Sequence, residues 1–379
     1  MRSGLSRTDV EKVIHQLVDA LFRNIPSGVG SHRKDLKLDP KELSRVLEKG
    51  VKWALERGYG SADDLEHIEA RGCIPGADAS KVSDKAMERG KAQLGTVGSG
   101  NHFVEVGYVE EVFDEEAARV LGLEKDMATV LVHTGSRGLG HQVCDDYIKV
   151  MMKASREYGI ELPDPQLCCA PVDSPEGRDY LAAMAAAANF AFVNRQMISH
   201  WVRETFEQVF GLGPRDLGLE LVYDVCHNMA KLEEHEVDGR KMKLCVHRKG
   251  ATRAFPPGHP EVPQKYREVG QPVLIPGDMG RCSYVLVGTE QAFRETFGST
   301  CHGAGRVMSR HQAIKASKGR SISKELEEKG IVIRGASKAT LVEEIPEAYK
   351  DVNNVVNVVH KAGISKKVVR LRPLGVIKG

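Results

Sequence analysis

The sequence predicts a mixed α+β fold, built as one domain over residues 1–379 with mixed or antiparallel sheets surrounded by helices. Three observations lead there. Short apolar runs of strand length recur from Phe103 to Arg334; helical periodicity marks the first sixty residues and a long alanine-rich stretch; and no repeat, low-complexity tract or linker divides the chain. With 41% hydrophobic and 28% charged residues, disordered and fibrous classes are excluded. The 54 basic and 52 acidic residues leave a formal charge of +2, so any affinity for nucleic acid has to come from local patches. The 8 cysteines include no CxxC pair, which points to reduced thiols, and no apolar run approaches a membrane span or signal core. A cytoplasmic protein with no membrane association is expected.

In order along the chain, Thr8 and Glu11 read as a capping box for a helix over about 9 to 24, with Val10, Ile14, Leu17 and Leu21 on one face. Asp39-Pro40 opens a second helix bearing Leu43, Val46, Leu47 and Leu55. Three glycines then precede Asn101-His102, which together with Glu105 sit at a turn-to-strand junction. A strand over 128–132 ends in His133, and Thr134 to Gly140 leads to a helix beginning near His141. A strand, a glycine-rich loop with one arginine (Arg137) and a helix N-terminus suit a phosphate or sulfate, although the spacing is neither a P-loop nor GxGxxG.

Ser174-Pro175 starts the longest helix, which runs to about Phe210 and reads as core without a catalytic role. Strands follow over 219–225, 242–246, 272–275, 283–287 and 331–334. Cys226-His227-Asn228 closes the first of these, and Arg248, Lys249 and Arg253 follow the second as either a path for phosphates or a solvated basic loop.

His102, His133 and His227 each stand beside a short strand, an arrangement that assembles metal sites as readily as it yields hydrogen-bonded core histidines. The segment Phe297 to Arg306 is built around His302. Gly303, Ala304 and Gly305 leave the backbone open to an anion, and Arg306 is placed to pair with phosphate. Equally, these residues suit a loop histidine in a turn that caps a helix from about 306 to 314.

Read as a series, GSGNHFVEV, HTGSRGLGHQV, VYDVCHNMAK, VHRKGATRAFPPGHP, PVLIPGDMGRCSYVL, FGSTCHGAGRVMSR and AGISKKVVRLRPLGVIKG resemble the ordered motifs of the RtcB family of RNA ligases, over about residues 8–379. The resemblance implies an α+β architecture distinct from the doubly wound (Rossmann) fold. It also implies a GTP- and Mn²⁺-dependent ligase joining RNA 3′-phosphate or 2′,3′-cyclic phosphate ends to 5′-hydroxyl ends, with His302 as the nucleophile that carries GMP. By motif position, His102, His133 and His227 match metal ligands. Asn101, His102, Phe103, Val104, Glu105, His227, Asn228, Pro276, Gly277, Asp278, Met279, Ser283, His302, Gly303, Ala304, Gly305 and Lys378 match the guanylate pocket, and Arg89, Arg137, Arg306 and Arg310 are candidates for RNA phosphates.

Transfer RNA halves as substrate, archease as partner and a monomer or homodimer are further implications of the resemblance. Family members usually begin with an additional segment carrying Asp-x-x-Cys-Gly, whose aspartate and cysteine complete a two-metal site. No such motif occurs here, so an incomplete ligand set and impaired activity are expected. A non-catalytic GTP- or RNA-binding fragment and a metal-dependent phosphohydrolase are the competing readings.

Overall fold

The computed structural model describes residues 1–33, 35–36 and 38–379. Ten strands are seen among them: β1 (Arg2–Ser6), β2 (Phe103–Val112), β3 (Met127–His133), β4 (His227–Val237), β5 (Arg240–Arg253), β6 (Pro272–Ile275), β7 (Ser283–Gly288), β8 (Ser299–Cys301), β9 (Val332–Gly335) and β10 (Ser365–Lys378). The larger sheet runs β1-β3-β2-β10-β7-β6 with β9 also on β10, and the smaller runs β4-β5-β8. Only β9, parallel to β10, departs from antiparallel pairing, which makes the larger sheet mixed as the sequence predicts.

The chain's last strand is central. β10 pairs with β2 along one side, while its other side pairs first with β7 and then with β9. Two register shifts along β2, one of them beside Pro373, accommodate a residue that cannot donate a ladder hydrogen bond.

The long helix spans Pro175–Phe210. Ser174 caps it by accepting from the Gly177 N–H, Pro175 occupies its first turn, and Gly211 ends it in the left-handed conformation at φ 65°. Ala183, Ala186, Phe190, Phe192, Val193, Met197, Ile198, Val202 and Phe206 are buried around it. Each large apolar side chain among these contributes roughly 1.5–3 kcal/mol by leaving water, so this helix anchors the core on which the larger sheet lies.

Several expectations are corrected. The first helix is capped by Ser6 with Asp9, in place of Thr8 with Glu11, and is split into Arg7–Glu11 and Ile14–Asn24. The helix expected near His141 begins at Arg137, because the glycines at 138 and 140 join its first turn. Residues 219–225 form no strand and make only single bridges at Glu220 and Asp224, so His227 begins a strand rather than ending one. The run 247–253 continues β5, where Arg248 pairs with Glu233 and Arg253 with Glu69 and Glu261; these arginines are buried structural cations, and of that stretch Lys249 remains exposed. Residues 306–309 lie outside the following helix, Arg310–Ala316.

Candidate active site

Strand register assembles the site. Lys378 pairs with Phe103, and Phe103 with His133, so the three stand in one row across β10, β2 and β3. Side chains two positions apart share a face of a strand, which places Val376, Glu105 and Leu131 in the next row of that same face. In the smaller sheet His227 pairs with Thr252 and Thr252 with Thr300, immediately before Cys301 and His302. The two sheets meet along a seam of imidazoles. Ring centroids are 5.7 Å apart for His102 and His133, 5.6 Å for His133 and His227, and 4.9 Å for His227 and His302.

Local backbone fixes the rings. The carbonyl of Val97 faces Nδ1 of His102 at 3.0 Å and also accepts from the Thr134 hydroxyl at 2.6 Å, tying the first histidine loop to the residue after His133. Nε2 of His133 and Nε2 of His227 lie 3.4 Å apart. Among the described residues, Nδ1 of His227 and Nδ1 of His302 are buried and find no hydrogen-bond partner.

Burial, followed by the Arg137 charge, lowers His102 to about 4; burial, followed by His302, lowers His227 to about 4. His133 is held well below its ordinary value by burial and by its imidazole neighbours, and His302 is lowered by burial and then by Lys249. At neutral pH the seam therefore presents uncharged rings, the form that can donate a nitrogen lone pair to a metal or a phosphorus atom.

Two cavities open on the seam. One, of 830 Å³, is lined by His102, His133, His227 and His302 together with Arg89, Ser99, Arg137, Asn228 and His141. The other is a narrow cleft of 60 Å³ between Asn101, Phe103, Glu105, Pro276, Gly277, Asp278, Met279, His302, Gly303, Ala304 and Lys378. His133 and His302 line both. Glu105 is fully buried, and that burial, with Asp278 nearby, pushes its carboxyl up to about 8. Lys378 is 4% exposed, and burial pulls its amine down to about 8. Phe103 lies beneath the amine, 5.7 Å from ring centroid to Nζ.

The remaining residues singled out in the sequence lie apart from the cleft lining. Ser283 sits behind the cleft, its hydroxyl donating to Glu105 at 3.4 Å and accepting from the Gly277 N–H at 3.2 Å. Val104 is buried in the core on the opposite face of β2, and Gly305 stands outside both linings. Asn228, at φ 59°, opens on the larger cavity and accepts from the Gly250 N–H.

Among the arginines, Arg137 is mostly buried, hydrogen-bonded to Thr96, lowered to about 10 by burial, and makes no ion pair among the described residues. Arg89 and Arg310 are exposed. Arg306 is turned inward: it donates to Glu344, to the Tyr349 hydroxyl, and to the carbonyls of Glu343 and Met308. That engagement leaves its fork no free edge for an RNA phosphate.

Glu344, Tyr349 and Val376 also line the cleft and were missed from sequence. For Val376 the signal was available, since it lies two residues before Lys378 on the same strand face. Glu344 and Tyr349 come from a helix end and a loop whose placement no local pattern announces.

The fit to a metal ion can be judged from these side chains. Two neutral nitrogens facing each other at 3.4 Å suit two ligands of one cation, and His102 stands beside them. Among the described residues, however, no group of three or more His, Cys, Asp or Glu side chains converges as a metal cage. The imidazoles present supply part of a shell.

Neutral imidazoles between an arginine-lined cavity and a cleft with a buried acid and amine make up an enzyme centre suited to phosphate chemistry. Comparison with known proteins names the family. The profile described as tRNA-splicing ligase RtcB matches residues 1–379. Proteins of that name from Archaeoglobus fulgidus and Methanocaldococcus jannaschii are each 59% identical over 379 residues, covering 100% of this chain and 78% and 39% of their own lengths. The Thermococcus kodakarensis protein of the same name is 56% identical over 379 residues, or 78% of its length. The chain belongs to the RtcB family and is an enzyme of the RNA ligase class. None of its described helices is long and apolar enough to cross a membrane.

Proposed function

We propose that the chain activates RNA ends with GTP through a guanylylated His302, joining a 3′-phosphate to a 5′-hydroxyl. The observation that carries this reading is the position of His302: its ring lines both the arginine-bearing cavity and the Glu105–Lys378 cleft, 4.9 Å from the His227 ring. In the first step Nε2 of His302 attacks the α-phosphorus of GTP, a P–N bond forms, the α–β P–O bond breaks and pyrophosphate leaves. The RNA 3′-phosphate then takes the guanylate from His302, and the 5′-hydroxyl oxygen displaces GMP while losing its proton. A 2′,3′-cyclic end is first opened by water.

The cleft is read as the base site. A protonated Glu105 and the Lys378 amine can address polar edges of a purine, and Phe103 its face. At 60 Å³ the cleft admits the edge of a base, and the phosphates are assigned to the larger cavity with Arg137. Manganese held by His133 and His227, with His102 at its side, would supply charge neutralisation at those phosphates. Because this chain's own side chains offer only part of a shell, slow guanylylation and fewer than two tightly held ions are the expected behaviour of the 379-residue polypeptide. Transfer RNA halves are the proposed substrate, from the names of the relatives.

The test is transfer of label from GTP labelled at the α-phosphate, with Mn²⁺ stoichiometry measured alongside. Acid-labile, alkali-stable label on His302, absent in His302→Gln, is the expected result. GTP binding without any labelled protein would replace the reading by a non-catalytic binding role.

A further inference from the structure

We propose that Asn194 and Arg195, adjacent on the long core helix, are positioning residues that set the spacing of the three strand-end histidines. The inference rests on the reading of those histidines as the reaction centre. Its physical starting point is a polar pair in the middle of a helix whose buried surface is largely alanine and phenylalanine. Asn194 is fully buried and Arg195 is 9% exposed. A guanidinium in such surroundings is strongly unfavourable unless its donors are satisfied, so its partners show what it is for.

All of its partners border the site. Nη1 of Arg195 donates to the carbonyl of Thr134, the residue after His133, at 3.1 Å. Nη2 reaches Sγ of Cys226, the residue before His227, at 3.4 Å, and Nε pairs with Asp224 at 2.6 Å. One planar group thus fixes the end of β3 relative to the start of β4. These strands belong to different sheets and share no ladder hydrogen bonds.

Asn194 does the same for the first histidine. Its Oδ1 accepts from the N–H groups of Gly95 and Thr96 at 2.7 and 3.0 Å, and its Nδ2 donates to the carbonyls of Thr96 and Gly135 at 3.1 Å each. The amide is saturated, and it joins the turn before Val97 to the loop after His133. Val97 is the residue whose carbonyl faces His102 Nδ1 and accepts from Thr134. The adjacent pair therefore hydrogen-bonds to all three histidine-bearing segments and, among the described residues, to none of the three rings.

A purely structural role would lower stability and leave the rings alone. Asn189, earlier on the same helix, provides that comparison: it is equally buried and ties Ile74 to Leu47. Arg195→Lys, Asn194→Ser and Asn189→Ser would be compared by thermal melting, by Co²⁺ titration followed in the visible spectrum, and by ¹⁵N NMR of histidine ring nitrogens without metal. All three should melt lower. Arg195→Lys and Asn194→Ser should weaken Co²⁺ binding by about 10- to 100-fold and shift or broaden the ring signals, while Asn189→Ser keeps wild-type values for both. If Arg195→Lys does not fold, Asp224→Asn, which keeps an acceptor but removes the charge, carries the same expectation. Wild-type Co²⁺ affinity and ring signals in the Asn194 and Arg195 variants would overturn the proposal. Failure of the wild-type protein to bind Co²⁺ would instead count against the metal reading of the histidines, and the metal-free ring signals would then decide the positioning role alone.

Discussion

The start and the middle of β4 carry polar side chains in parity, yet they differ in what those side chains meet. Lys231, Glu233 and His235 are each closed by an opposite or complementary charge: Lys231 by Glu69, and Glu233 by both Arg248 and His235. Among the described residues His227 has no charged partner. Its Nε2 faces another imidazole and its Nδ1 is buried and unpaired. Burial is common to both regions, and so is an open Nδ1, on His227 and on His235; a charged partner is found among the described residues only in the middle of the strand. A buried imidazole that faces other imidazoles in a cavity marks a place where a ligand is expected, whereas one held by an opposite charge belongs to the scaffold.

The sharpest way to break this contrast is at His302, on the open side. Exchange to Gln should reduce labelling by GTP to background with little change in melting temperature, and retained labelling would remove the nucleophile assignment. On the closed side, Glu69→Gln leaves Lys231 and Arg253 without their shared carboxylate, and should cost about 3–5 kcal/mol in denaturant unfolding. That site also sets an acid limit. Burial alone would raise Glu69, but Lys231 and Arg253 outweigh it and bring the carboxyl down to about 2. Its contribution is fully present above the ordinary glutamate range and is lost as pH falls toward 2, so the wild type should show an acid-induced loss of stability that the Gln variant lacks.

Lys378→Met should do the reverse of the Glu69 exchange. Removing a buried amine that makes no ion pair among the described residues should leave stability unchanged or raised, while guanine nucleotide affinity falls by about 1.5–3 kcal/mol, read by calorimetry. The smallest effect is expected from exposed Arg310→Gln, roughly 0.2–1 kcal/mol in RNA binding and erased by salt. An effect as large from Arg306→Gln would come with lost stability, because that arginine is bonded to Glu344 and Tyr349.

The same contrast explains what could be read from sequence. The mixed α+β class, the long helix with its Ser174 cap and Gly211 stop, and the strands at 103, 128, 272, 283 and 332 follow from period and punctuation, which are local properties. The histidines were visible as residues beside strands. What was not visible was the pairing of distant segments: that His227 opens a strand of a second sheet, that Arg248 and Arg253 are spent on Glu233 and Glu69, and that Arg306 is held by Glu344. A cation waiting for phosphate and one already paired look alike along the chain. The tail does not announce a strand in the sequence, because Pro373 and Gly375 interrupt it and β10 is buried on both faces over its last residues instead of alternating.

That central strand also governs the order in which the molecule can be completed. β2 finds its neighbour β3 soon after synthesis, but its other edge waits for β10, and the Glu110–Arg370 contact joins residues 260 apart. At ~5–20 residues per second a ribosome takes on the order of 10–50 s to cover that distance. Throughout that interval an apolar strand presents an unpaired edge to the cell. Glu110 and Glu111, later neutralised by Arg370 and Arg372, place negative charge on that edge and discourage intermolecular pairing until the proper partner is made.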